Sequence, residues 1–525
     1  MLLSLILLTI AICLIVAYLW NLKSKYEYFK KHGLTGPPPV FLFGHYLTFW
    51  STHCYSRELE KWTKQYGSIY GLFEGSRPMY VVSDVDFLHE VYIKQFASFH
   101  SRRVPFIMRQ SGNRSTHLLA AHGARWRRQR HVINPTFSTA KLKLMSPLVQ
   151  LYIQNLMNKL EDFSEKKEEF NIYDLYKRLT MDVICRCAFG IESDMQNDVN
   201  NMFLRKAQLT IDLNPENLSI IKFGNLFPFM IPFVMMFLIC QMMFIYTFRK
   251  IAPAWFLPQL EELAPFWIIN RADQVINSRT STKLNPNQTH PVDLLQLMID
   301  ASTKDSIKDN EDEPVESKKL RQDEISVNVF LFMIAGYETT STALASSTYI
   351  LATKPDIQDK LRAEIDEQEW NDDNQINYDI VMNMTYMDLF VREVLRMYPV
   401  STTAMTRECN NTTDICGHRI EKGTVIQPDV YTIHFDSNLW GPEDTHVFYP
   451  ERHLTKRHPA AFMPFGIGPR NCVGMRFALM ELKMCLAKLL RQFIILPGEK
   501  IEEGFKHDET LVIRPNGMYV KLEKR

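Results

Sequence analysis

The 525-residue chain lacks several features that would settle its class at once. Its net charge is only +1, so no global field argues for nucleic acid. Its nine cysteines (Cys13, Cys54, Cys185, Cys187, Cys240, Cys409, Cys416, Cys472 and Cys485) are odd in number and scattered. None has zinc-ligand spacing, and no disulfide frame is suggested. The globular part is therefore expected in a reducing compartment. No Gly/Ser linker and no internal repeat divides the chain, which weakens the three domains that length alone suggests. No Gly-x-Gly-x-x-Gly follows a strand-like run, and no flavin motif is present.

What is present begins with an apolar run, Leu2 to Trp20, long enough to span a bilayer as a helix. No basic residue precedes it and no small-x-small site follows, which disfavours a cleaved signal. Lys23, Lys25, Lys30 and Lys31 follow, and the positive-inside bias keeps the body cytosolic. Pro37-Pro38-Pro39 then predicts a stiff, extended spacer. The expected division is an anchor at 1–22, a basic and proline-rich hinge at 23–39, and one domain at 40–525.

The chain as a whole is 46% hydrophobic and 23% charged, an ordinary globular balance with a large core. Tyr70 to Val82 reads as a hairpin. Helical patterns dominate from Asp84 onward. Ser302 to Glu324, charged and containing Pro314, reads as an exposed linker before a long apolar helix from about Glu324 to Thr353. Arg407 to Gln427 predicts a small sheet, and Leu511 to Leu522 a hairpin around Pro515-Asn516-Gly517. The fold class is mainly α with a smaller β-rich part and an N-terminal transmembrane anchor. Leu226 to Tyr246 is apolar enough for a second span, but Pro228, Pro232 and Gln241 favour a surface segment dipping into the membrane interface.

Four motifs carry chemistry. Phe465-Gly466-Ile467-Gly468-Pro469-Arg470-Asn471-Cys472-Val473-Gly474 places one cysteine in a glycine-rich loop before a helical pattern from Met475 to Phe493. Gly468 and Gly474 are read as positions that allow positive φ and close approach. A helix N-terminus stabilises a thiolate, and Arg470 can pair with an anionic group. Cys472 as an ordinary buried thiol is the plain alternative. Ala335-Gly336-Tyr337-Glu338-Thr339-Thr340 puts a carboxylate and hydroxyls inside an apolar helix. Glycine plus a hydroxyl there can loosen the helical ladder into a groove, although a Ser/Thr kink with a solvent-facing glutamate explains the same residues. Glu393 and Arg396 sit one helical turn apart, and Pro450-Glu451-Arg452-His453 lies downstream. Trp126 and Arg130 share a helix face and can both grip a carboxylate, while Arg125, Arg127 and Arg128 fall away from it and read as solvated charge or a basic patch for an acidic partner.

These motifs, in this order, resemble those of the cytochromes P450, and the resemblance runs from about Pro37 to Arg514. Phe462 to Ala478 looks closest to the animal drug- and steroid-oxidising branch. Ala335 stands where fatty-acid ω-hydroxylases often carry a glutamate. The resemblance implies haem b held by the Cys472 thiolate. It implies that Trp126, Arg130, Arg407 and Arg470 grip the propionates and that the Phe465 ring shields the sulfur. Glu338 and Thr339 are implied as the proton relay. Glu393, Arg396 and Arg452 are implied as a structural triad, with His453 where the family usually has Phe. Leu331, Phe332 and Ala335, a turn or so before Thr339, are expected to line the pocket, and Phe106, Thr402 to Met405 and Leu511 fall in the family's substrate-contact regions.

The implied activity is insertion of one oxygen atom of O2 into lipophilic substrates such as xenobiotics, steroids or fatty acids. Electrons would come from NADPH-cytochrome P450 reductase, with cytochrome b5 as a second donor, at the cytoplasmic side of the endoplasmic reticulum membrane. A haem-thiolate isomerase or dehydratase and a non-catalytic haem- or sterol-binding membrane protein are the rival readings. With a cytosolic body, Asn113-Arg114-Ser115 and Asn287-Gln288-Thr289 are expected to stay unglycosylated.

Overall fold

The computed structural model describes residues 2–103, 116–191, 193–212, 218–251, 262–281, 293–303, 305, 307, 309, 318–370 and 376–525. Phe106, Pro314 and the two glycosylation motifs lie outside the described residues. The helices that position the site are α1 (Leu2–Tyr26), α2 (Gly123–Ile133), α3 (Thr139–Lys166), α4 (Ile172–Phe189), α5 (Ile231–Ile251), α6 (Ala264–Ser281), α7 (Gln322–Thr353), α8 (Thr385–Met397) and α9 (Met475–Gln492). The strands are β1 (Ile69–Glu74), β2 (Arg77–Val82), β3 (Phe170–Asn171), β4 (Arg407–Glu408), β5 (Val425–Pro428), β6 (Phe493–Pro497), β7 (His507–Glu509), β8 (Ile513–Pro515) and β9 (Tyr519–Lys524).

Helix α7 is the axle of the body. Glu324 starts it, its carboxylate accepting the Arg321 backbone N–H at 3.0 Å. Because α7 is apolar on nearly every side, it must be enclosed, and α4, α6 and α9 pack around it. Gly336 permits the close α4 crossing, since a Cβ there would lie 3.1 Å from Ile184 Cδ1. Thr180 donates to the Tyr337 carbonyl at 2.8 Å, and the Tyr176 and Thr348 hydroxyls meet at 2.8 Å, so the same interface is also hydrogen-bonded.

The β part lies to one side. β1 and β2 form the expected hairpin around Gly75, β5 runs parallel to β2, and β4 closes the sheet. The expected hairpin at 511–522 does not form. β8 pairs with β7, whereas β9 pairs with β6 and β3. The chain between β8 and β9 instead packs against Gly504, where a Cβ would stand 2.3 Å from the Gly517 carbonyl oxygen.

In the 23–39 segment, α1 continues through Lys23 and Lys25, and another turn covers Tyr28–Lys31. Phe29 is 5% exposed and lies over Gly71, where an added Cβ would sit 2.2 Å from its ring. Gly71 donates its N–H to Thr35 O at 3.0 Å. Of the described residues between 302 and 324, Asp309 and Glu324 are tied to Arg128.

Helix α1 presents exposed apolar side chains from Leu3 to Trp20 and is long and apolar enough to cross a membrane. The 226–246 segment is helical to Met230 only in short pieces and then enters α5, which runs past Tyr246 to Ile251. Phe233, Met236, Phe237, Ile239, Met243 and Phe244 all stand exposed on α5. Tyr18 of α1 touches this region, its ring edge-to-face with Phe229 at 5.6 Å.

Glu481 of α9 is fully enclosed, and one carboxyl oxygen has no hydrogen-bond partner. Burial alone pushes its pKa well above the carboxylate range. The neutral form is therefore favoured in the fold, and this group's contribution is complete below its ordinary 4.5 and is lost as pH rises through the raised value. Glu481→Gln should remove that loss. In thermal melts the variant should match the parent near pH 4.5 and exceed it by about 1–3 kcal/mol at pH 8; parallel curves across pH would contradict the assignment.

Candidate active site

The Cys472 loop is shaped by backbone geometry. Gly466 and Gly468 have φ of +70° and +71°, and a Cβ at Gly468 would collide with the Tyr92 carbonyl oxygen at 2.1 Å. Gly474 does not take the expected left-handed conformation: its φ is −88°, and it serves as the cap of α9. Cys472 N–H donates to Phe465 O at 2.8 Å, which closes the loop on itself. Phe465 itself is half-buried and packs against the main core.

Cys472 is a free cysteine with an accessible side chain. Desolvation by the surrounding protein raises its thiol pKa, while backbone N–H groups of Gly474 and Met475 and the charges of Arg130 and Arg102 pull it down. Among the described residues no group of three or more His, Cys, Asp or Glu side chains is placed to hold a metal ion.

Around this loop four guanidiniums converge without a carboxylate among the described residues. Arg470 is 2% exposed, donates to the carbonyls of Leu119 and Ala121, and lies 4.7 Å from the Trp126 ring centroid. Arg407 is 1% exposed, sits 4.3 Å over the Tyr92 ring, and donates to Met405 O and Thr406 O. Arg130 makes two 2.8 Å bonds to Asn471, one to its carbonyl and one to its side-chain oxygen. Arg102 donates to Ala404 O and Arg470 O, both at 2.8 Å. The Nε groups of Arg102, Arg407 and Arg470 have no hydrogen-bond partner among the described residues.

Burial lowers the pKa of each of these cations, and neighbouring guanidiniums add to it at Arg102, Arg470 and His100. Arg102 is held down to about 9, Arg407 and Arg470 are also lowered, and nearby His100 falls to about 4. Buried cations without counter-charge are costly. Such a cluster with orphaned donors is the counterpart of a dianionic group, as two carboxylates of one cofactor would supply. Arg102 was missed from the sequence, since it sits in a Ser-Arg-Arg run with no motif around it.

The Trp126–Arg130 helix, α2, behaves differently from expectation on its other face. Arg127 is exposed, but Arg125 and Arg128 are buried. Arg128 forms bidentate bonds of 2.7–2.9 Å to both Asp309 and Glu324, and Arg125 Nε reaches Asp309 at 3.2 Å. These two are structural clamps between α2 and the start of α7, because their carboxylate partners arrive from segments far away in sequence.

On α7 the 331–335–339 face is open: Ala335 is exposed, and Leu331 and Thr339 are partly so. The helical ladder does not break there, as α-helix is continuous across 322–353. The Thr339 hydroxyl donates back to Ala335 O at 2.6 Å instead. Glu338 does not share this face. It is 3% exposed and accepts a 2.5 Å bond from the Tyr173 hydroxyl of α4. Of the expected substrate-contact residues, Phe332, Thr402 and Met405 are buried, Thr403 and Ala404 are half-buried, and Leu511 is exposed.

Behind the loop Glu393 receives Arg396 at 2.8 and 2.9 Å, Arg452 at 2.9 Å, and the Tyr449 N–H at 3.1 Å. His453 joins them, its Nε2 3.0 Å from Glu393. The triad is thus a four-residue cluster.

The comparisons decide the family. A profile described as Cytochrome P450 matches residues 34–522. The chain belongs to the cytochrome P450 family. It is 32% identical to cytochrome P450 3A5 of Homo sapiens over 99% of this chain and 96% of that protein. Cytochrome P450 CYP13A4 of Caenorhabditis elegans is 32% identical, over 97% and 96% of the two chains. Cytochrome P450 3A16 of Mus musculus is 33% identical, over 96% and 94%. The protein is a cytochrome P450 monooxygenase, and its family works with haem held by a cysteine thiolate. The four unpaired guanidiniums beside the Cys472 thiol in this P450 fit that group.

Proposed function

We propose that this P450 oxygenates lipophilic substrates from a membrane surface, and that the Cys472 thiolate would hold the haem iron. The observation that carries this is the convergence of the Cys472 thiol with four guanidiniums that lack a carboxylate. Arg102, Arg130, Arg407 and Arg470, with Trp126, would hold the haem b propionates. The Phe465 ring and the backbone N–H groups of Gly474 and Met475 would shield and tune the sulfur. When bound, the haem supplies activation of dioxygen.

The chain's own residues supply position, exclusion and protons. The open 331–335–339 face of α7 is the pocket wall. Thr339 would hand a proton across that wall, with Glu338 as its source. Thr339→Ala should leave the reduced-CO spectrum intact and divert reducing equivalents to hydrogen peroxide. Unchanged coupling, measured as product formed per NADPH oxidised, would remove Thr339 from the relay.

Electrons are assigned to an NADPH-dependent reductase, with cytochrome b5 as a second donor, because the sequence carries no nucleotide or flavin motif. The anchor at 1–22, the basic and proline-rich segment at 23–39 and the oxygenase domain at 40–525 would place the body on the cytoplasmic side of the endoplasmic reticulum. The exposed apolar side chains of α5 support its dipping into the same interface. Xenobiotics, steroids and fatty acids are the substrate classes proposed, from the apolar pocket wall. A binding-spectrum screen over these three classes tests the assignment, and turnover must depend on NADPH and reductase. Turnover of a peroxide without either would favour the isomerase reading.

A further inference from the structure

We propose that Tyr173 is a positioning residue that parks the Glu338 carboxylate on the α4 side of α7 and so sets how readily that carboxylate serves the pocket. The inference rests on the reading of Glu338 and Thr339 as the proton relay. Neighbouring residues on a helix point about 100° apart. Thr339 lies on the open face, whereas Glu338 is turned into the α4–α7 contact. There the Tyr173 hydroxyl donates to Glu338 Oε1 at 2.5 Å and lies 3.1 Å from the Thr342 hydroxyl, one turn further along α7.

Such a bond to a carboxylate is among the stronger ones a neutral donor makes. Burial and the neighbouring carboxylate hold the Tyr173 phenol well above its ordinary pKa, so it stays a donor. The tyrosine is 2% exposed and fixed at its outer side. Lys177 stands 4.3 Å over its ring and pairs with Asp174 at 3.3 Å. Arg514, paired with Asp212, lends further positive charge to Glu338 and Tyr173. Glu338 therefore reaches the pocket only by giving up Tyr173. The latch joins residues 165 positions apart, which no local motif announces.

Tyr173→Phe tests this, since it removes the hydroxyl and keeps the ring in the core. The haem-loaded protein is supplied with NADPH and reductase without added substrate. The readouts are the solvent deuterium isotope effect on NADPH oxidation and the share of electrons leaving as hydrogen peroxide. Infrared difference spectra against Glu338→Gln, which report the Glu338 carboxylate stretch, are recorded without turnover. Tyr173→Phe should shift that stretch and change the isotope effect at least twofold, with the reduced-CO spectrum unaltered. In a Glu338→Gln background the same substitution should have no further effect on either turnover readout. The proposal is overturned if Glu338→Gln alters the isotope effect while Tyr173→Phe does not, or if Tyr173→Phe acts equally in both backgrounds. If Glu338→Gln itself matches the parent, the relay reading fails first and the latch falls with it.

Discussion

Cys472→Ala should yield protein whose reduced-CO complex lacks the thiolate Soret shift and whose NADPH-dependent oxygenation is undetectable. Two facts make this the largest single-residue effect expected. Alanine offers no atom that can take the place of the Cys472 sulfur as a ligand. The loop is also specified around this one position, with Cys472 N–H bonded to Phe465 O and Gly468 pressed against Tyr92. Alanine keeps both backbone features, so the fold should survive while the ligand is lost. A pH effect accompanies it. Desolvation raises the thiol pKa, and binding as a thiolate must expel that proton. Haem uptake by the parent should therefore strengthen as pH rises, and uptake by Cys472→Ala should not show that dependence. A thiolate-type band in the variant would sink the assignment.

Glu393→Ala should be the most destabilising substitution in the body. It strands Arg396 and Arg452, both with side chains of 0% exposure, without their shared carboxylate. Removing one partner from such a buried cluster costs about 3–5 kcal/mol, a large share of the roughly 5–15 kcal/mol typical of folded proteins. Expression without haem incorporation is the expected phenotype, read by absorbance and thermal melting.

The sign with pH follows from the same contacts. Glu393 is depressed from its ordinary 4.5 to about 2, so its contribution is whole above 4.5 and is lost as pH falls toward 2. His453 is lowered from 6.5 chiefly by burial, so it favours the neutral ring, and its penalty begins as pH drops below 6.5. Acid sensitivity should therefore start earlier here than in a His453→Phe variant. That variant loses one bond to Glu393, about 1 kcal/mol at neutral pH, and should keep its haem. Identical acid melting curves for the two proteins would count against His453 as a member of the cluster.

The legible parts of the molecule were those fixed by short-range pattern. The α7 boundaries, the β1–β2 hairpin and the Cys472 loop all follow from residues adjacent in sequence. Charge partners were not legible. Arg125 and Arg128 look like surface charge in an Arg-Trp-Arg-Arg-Gln-Arg run, because nothing nearby predicts that Asp309 and Glu324 will meet them. Arg102 and Tyr173 were invisible for the same reason. The false hairpin at 511–522 shows a related limit: turn residues report a change of direction but not which strand is joined afterwards. The acid and threonine of α7 read as a pair in sequence, yet consecutive positions on a helix diverge, and the structure seats them on different faces.

The seat of Phe29 over Gly71 has a practical reach beyond the fold. It couples the basic end of α1 to the β1–β2 sheet, so the catalytic body cannot swivel freely on its tether. A shortened, detergent-free version of the enzyme would have to be cut upstream of Tyr28. Cutting later would uncover Phe73 and Tyr80 and trade one sticky surface for another.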